Sequence, residues 1–127
     1  MILTTANDIS ILLLLLAGHA FADFPLSGDI FSKGKKNTTV AENLNWFHTL
    51  TIHSSMHGGI VFLITQSTIL GISEFIIHWV TDYLKYHGYI SVNTDQTIHV
   101  VCKIMWWVLW LTIPAKLLGQ IVATTVG

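Results

Sequence analysis

The stretch Leu12–Leu26, LLLLLAGHAFADFPL, begins like the middle of a membrane helix and ends with an imidazole and a carboxylate. His19 and Asp23 stand four residues apart, so a helix places them on one face, one turn from each other. An Asp at the centre of a membrane helix costs about 2.5–3.5 kcal/mol on insertion scales, and such residues turn inward and find partners. A greasy helix with this inner face therefore needs other helices with matching faces.

The composition agrees. The chain has 127 residues, enough for a single domain spanning 1–127, with 10% charged and 52% hydrophobic residues and a mean hydropathy of +0.62. A soluble domain is typically about 25% charged. Arginine is absent, the net charge is −1 and the lysines form no stripe, so there is no electrostatic footprint for nucleic acid. Cys102 is alone, which excludes an intramolecular disulfide and a thiolate metal cluster. The seven histidines outnumber the lysines. Ala20-Phe21-Ala22 resembles a signal-peptide cleavage site, but no Lys or Arg precedes it, so the segment reads as a retained helix.

Four apolar helices can be drawn. The first runs from about Asp8 to Phe24, with Asn7 or Asp8 as its cap and Pro25 as its end. The second runs from near Asn45 to about Gln66. The third starts between Ser67 and Ser73 and reaches Tyr86, with Gly88 at its C-terminal cap. The fourth runs from near Thr94 to Ile113, before Pro114, with Trp106, Trp107 and Trp110 suited to an interface. The tail from Ala115 to Gly127 reads as a bent continuation. A bilayer core about 30 Å thick needs about 20 helical residues. The first segment is short for that, which favours a tilted or partly embedded bundle. The expected fold is all-α: a four-helix integral membrane bundle with a polar first loop, Ser27–Asn43. The side bearing Lys33, Lys35, Lys36 and Lys85 should face the cytoplasm, with both termini outside. The expected location is the bacterial inner membrane.

The opening pair has company. His53 and His57, His78 and Asp82, and Asp95 and His99 repeat the four-residue spacing on the second, third and fourth segments. The pairs fall late, early, late and early in successive helices, so an alternating bundle brings all eight side chains to one level, near the cytoplasmic end. Taken singly, each has a plain explanation: a core histidine held by a hydrogen bond, a helix N-terminal acid at Asp95, or an Asp23 paired with a loop lysine. Four pairs at one level with almost no basic partner call for a cation. Imidazole and carboxylate together suit zinc, manganese or iron better than calcium or magnesium, and helix bundles build metal sites from facing side chains. Zinc is the first expectation. Eight candidates exceed one tetrahedral shell, so one or two ions are expected, held by His19, Asp23, His53, His57, His78, Asp82, Asp95 and His99. A His/Asp proton relay without metal is the competing reading. His48 and His87 lie outside the pairs. Lys85 reads either as a lysine snorkelling to the interface or as a phosphate partner above the metal. Gln96 is placed to orient a ligand. Ser54 and Ser55 read as helix-packing residues.

In order, His19-x-x-x-Asp23-Phe24-Pro25-Leu26, the paired-histidine helix, His78-x-x-x-Asp82-x-x-Lys85 and Asp95-Gln96-x-x-His99 resemble a family of small His/Asp-rich membrane proteins of unknown function from bacteria and their phages. Where that pattern usually has a Gln two residues after the Pro position, this chain has Ser27. The family is distantly similar to inner-membrane metal-dependent hydrolases and, at the level of fold, to zinc phospholipase C and P1-type nucleases. The resemblance implies metal-dependent hydrolysis of a phosphoester in a lipid or lipid-linked substrate. Metal-activated water would be the nucleophile, Asp23 or Asp95 the general base, and Lys85 the phosphate holder. Two alternatives stand beside it: a non-catalytic membrane protein with a structural metal, and a His/Asp proton or metal conduit.

Overall fold

The computed structural model describes residues 6–24 and 46–121. Four helices account for most of them: α1 (Ala6–Asp23), α2 (Trp46–Thr65), α3 (Thr68–Tyr86) and α4 (Val92–Thr112). No strand occurs among the described residues, and one isolated bridge links Ser67 to Gln120. The all-α, four-helix expectation is met. The Ser27–Asn43 loop, with Ser27, Lys33, Lys35 and Lys36, lies outside the described residues, as does Pro25.

Local chemistry sets the helix ends. Ser67 caps α3, its hydroxyl accepting from Leu70 N at 3.2 Å, and Ser91 caps α4 by accepting from Thr94 N at 3.1 Å. Between α2 and α3 the chain turns through Gln66, whose φ is +55°. The third helix ends at a His87 cap followed by Gly88 at φ +78°, a left-handed position that glycine adopts without penalty. Two boundaries differ from expectation. The first helix begins at Ala6, so neither Asn7 nor Asp8 caps it. From Ala115 to Gly119 the chain forms turns rather than a bent helix, and Ser67 Oγ donates to Leu118 O at 2.6 Å, fastening this segment to the α2–α3 turn.

The helices close into a ring in which α1 packs on α2 and α4, and α3 on α2 and α4. Glycines set the tightest contact. A Cβ at Gly58 would lie 2.8 Å from Gly71 O, and one at Gly71 would lie 2.8 Å from Phe62 Cβ, so α2 and α3 approach backbone to backbone.

The interior has two halves. At one end of the ring stand the histidines and acids. At the other, Leu15, Val61, Leu70 and Leu118 form an apolar plug, with Cys102 and Trp106 beside it. Among the described residues fourteen buried side chains are polar or charged and only eight are hydrophobic, while Leu13, Leu14, Leu63, Ile72, Ile76, Val101 and Ile104 point outward. That distribution inverts the usual one, in which acids and lysines are almost never fully buried. Among the described residues no helix is long and apolar enough to cross a membrane; the polar inner stripes lower the hydropathy of each.

Candidate metal centre

One rule positions the site. Each helix turns a stripe of every fourth residue inward: Leu15, His19 and Asp23 on α1; His53, His57, Val61 and Thr65 on α2; Leu70, Glu74, His78 and Asp82 on α3; Asp95, His99 and Lys103 on α4. Alternating helix directions bring the polar part of each stripe to one level. All eight residues expected from the sequence meet there. His19, His53, His57, His78, Asp82, Asp95 and His99 are buried, and Asp23 is 11% exposed.

The heart of the cluster is Asp23 with three histidines. Asp23 Oδ1 lies 3.0 Å from His57 Nε2, 3.2 Å from His53 Nε2 and 4.0 Å from His78 Nε2. Donor atoms of these four residues all lie within 4.8 Å of one another. Asp82 adjoins them, with Oδ2 at 3.5 Å from both His53 Nε2 and His78 Nε2. Its other oxygen faces the second half of the site, 3.7 Å from His99 Nε2, which also stands 3.2 Å from Asp95 Oδ1. Ligand atoms at roughly 2.0–2.1 Å from a tetrahedral metal are about 3.3 Å apart. The distances from Asp23 to His57 and His53 lie near that edge, and the distance to His78 is longer.

Hydrogen bonding at the rim fixes the protons further in. The Gln96 amide nitrogen donates to Asp23 Oδ2 at 2.8 Å and to Asp95 Oδ2 at 3.2 Å, which orients its oxygen toward His19 Nε2 at 3.3 Å. That oxygen only accepts, so His19 Nε2 carries the hydrogen and His19 Nδ1 a lone pair. His19 Nδ1 lies 3.4 Å from His57 Nδ1. His57 Nε2 stands 3.0 Å from Asp23 Oδ1 without the alignment of a hydrogen bond. A cation between the two atoms would satisfy both. His78 Nε2 and His99 Nε2 also face carboxylate oxygens without hydrogen-bond alignment. The rings of His57, His78 and His99 form a stack, with neighbouring centroids 3.6 and 4.0 Å apart.

Lys85 is 23% exposed, and its ammonium donates to Asp82 Oδ1 at 2.6 Å and Asp95 Oδ2 at 2.8 Å. The structure thus engages it in the site itself. An aromatic group stands at the same end of the bundle, in which Trp46 stacks on Tyr86 and Trp79 on Tyr83. Exposed His87 bonds through Nδ1 to Tyr83 O at 2.9 Å, and exposed His48 packs on Phe47; neither joins the cluster.

Sequence reasoning missed a second polar group directly beneath. Glu74 is buried and accepts from Lys103 Nζ through Oε1 and from Trp106 Nε1 through Oε2, the latter at 2.6 Å. The same Oε1 stands 3.4 Å from His78 Nδ1. Trp106, expected at an interface, is a core residue tied to this carboxylate. The signal was available: Glu74 lies four before His78 and Lys103 four after His99, so both extend the spacing already recognised.

The comparisons with known proteins give one match. A family model described as "Protein of unknown function (DUF3307)" covers residues 11–124. No curated protein and no solved structure matches.

Proposed function

As the chain belongs to this family of unknown function, we propose from the geometry of its own site that it is a membrane-embedded, metal-dependent hydrolase acting on a phosphoester of a lipid or lipid-linked substrate. The observation that carries the reading is the buried His57 Nε2, which makes no hydrogen bond although Asp23 Oδ1 is 3.0 Å away, in a ring of further imidazoles and carboxylates. Asp23, His53, His57 and His78 would hold the ion. A bound divalent ion supplies Lewis-acid polarisation and brings the pKa of a water molecule toward neutrality. Asp95, outside that four-residue group, would accept the proton. Lys85 would present positive charge to the phosphate, and Gln96 holds Asp23 and Asp95 in register. The site reaches the surface at Asp23 and Lys85, so a substrate has a way in.

Membrane embedding is supported by the inverted distribution of polarity: charge inside, Leu, Ile and Val outside. Burying such an exterior in lipid satisfies it, and the aromatic group beside Lys85 suits the headgroup level. We place the site toward the cytoplasmic face of a bacterial inner membrane. A conduit is less well supported, because the apolar plug of Leu15, Val61, Leu70 and Leu118 closes the far half.

Metal identity separates catalysis from a structural role. Four protein ligands complete a tetrahedral zinc shell, as in structural sites, whereas a five- or six-coordinate manganese or iron ion keeps a position open. The test is elemental analysis of detergent-purified protein and of its His78→Ala variant, followed by assay on phosphatidic acid and phosphatidylglycerol in mixed micelles. Metal lost in His78→Ala, and product release lost in Asp95→Asn, are the expected results. Absence of metal would replace this reading by a proton network centred on His57. Bound metal without turnover of either lipid would reduce it to a structural site.

A further inference from the structure

We infer that Lys85 is a built-in substitute for a second metal ion, so that the chain holds one divalent ion and carries a latent second site beneath the Lys85 ammonium. This rests on the metal reading above and decides between one ion and two.

Asp82, Asp95 and His99 form a group of possible ligands separate from the Asp23 group, and Asp82 faces both, one oxygen to each. Such a shared carboxylate is what a two-metal site would need. In this chain, however, the two carboxylates are bridged by an ammonium. Lys85 Nζ is 2.6 Å from Asp82 Oδ1 and 2.8 Å from Asp95 Oδ2, on the same group of oxygens that a second ion would use. His99 supplies the independent sign of a ligand position. It is 1% exposed, its Nε2 makes no hydrogen bond, and it lies beside the same carboxylates, 3.2 Å from Asp95 Oδ1 and 3.7 Å from Asp82 Oδ1.

Charge favours the same conclusion. Glu74 and Lys103 neutralise each other one turn away. Asp23, Asp82 and Asp95 against Lys85 leave two negative charges when the imidazoles are neutral, which one divalent ion balances. A second divalent ion would leave a surplus of two positive charges in a buried site, where unpaired charge is costly. Removing the ammonium changes the balance by one and exposes three ligands on Asp82, Asp95 and His99.

The experiment is metal stoichiometry. Wild-type protein, Lys85→Met and Lys85→Met/Asp95→Asn are purified in detergent, equilibrated with zinc, passed through a desalting column and analysed for zinc per chain. The expected values are about one, about two and about one. Two ions in the wild type, or one ion in a folded Lys85→Met, overturns the inference and leaves the metal reading intact; no zinc in the wild type overturns both. If Lys85→Met does not fold, the wild type decides alone: loaded with manganese, it should give the electron paramagnetic resonance spectrum of isolated ions. A spin-coupled pair would show that Lys85 does not take the second place.

Discussion

Breaking the Glu74–Lys103 pair from either side should weaken the bundle strongly, and removing both charges together should not. Each side chain is 1% exposed, so a lone survivor is a buried charge without its counterion. Removing one member of such a pair typically costs about 3–5 kcal/mol, whereas replacing both is often neutral. The surroundings rank the two single variants. After Lys103→Met, Glu74 still accepts from the Trp106 indole at 2.6 Å, a charge-assisted hydrogen bond of about 1.5–3 kcal/mol, so the loss should sit near 3 kcal/mol. After Glu74→Gln, the Lys103 ammonium faces only a neutral amide oxygen, and the loss should approach 5 kcal/mol. In Glu74→Gln/Lys103→Met the amide oxygen keeps the indole partner and no charge remains, so stability should return to within about 1 kcal/mol of wild type. Unfolding in dodecyl maltoside micelles titrated with dodecyl sulfate, followed by helical circular dichroism, gives all four corners of the cycle. Single variants that each lose less than about 1 kcal/mol, or a double variant that loses the sum of both, would refute the pairing.

Chelation should lower the melting temperature, since a ligand at a hundredfold excess over its dissociation constant stabilises by about 2.7 kcal/mol; Asp82→Asn should do likewise, and a melting temperature unmoved by chelator and zinc alike would count against a bound ion. Gly71→Ala should cost about 1–3 kcal/mol and weaken zinc binding, because its Cβ would press on Phe62 and on Gly58 O and force apart the helices that carry His53, His57 and His78; Gly59→Ala, with nothing within 4 Å of its Cβ, is the control that should leave both unchanged. Metal content after dialysis should fall as pH drops through the histidine range around 6.5, because ligation needs deprotonated imidazoles and protons then compete; content that rises on acidification would contradict imidazole ligation. A reporter fused after Gly127 should give the periplasmic signal, and a cytoplasmic one would reverse the orientation.

Much of this arrangement was legible in spacing alone. The four-residue interval in His19/Asp23, His53/His57, His78/Asp82 and Asp95/His99 fixes a helix face, and late-early-late-early placement fixes a level. Both follow from helix geometry without tertiary knowledge. The partners of each group were not legible. Lys85 could be assigned to an interface or a phosphate from sequence, because its reach to Asp95 depends on how α3 and α4 cross. Glu74 and Lys103 escaped for a similar reason: each has ordinary surface chemistry, and only the ring closure sets them face to face. Trp106 was misplaced because indoles serve at interfaces and in cores alike, and its neighbour Trp107, which donates to Asp8 O at 2.7 Å, faces a different helix.

The ring of helices also sets an order of assembly. Asp23 on α1 touches His53 and His57 on α2 but reaches Gln96 only across 73 residues of chain. In the membrane setting proposed above, synthesis presents α1 first, and α2 brings the first partners for its carboxylate, so these two would enter most cheaply as a hairpin. The third helix is in a harder position. Lys85 can cover Asp82 from within the same helix, but Glu74 waits for Lys103 and Trp106, which are synthesised last. The fourth helix is therefore the latch of the fold: without it Glu74 lacks both its ammonium and its indole partner, and only His78 of its own helix stands beside it.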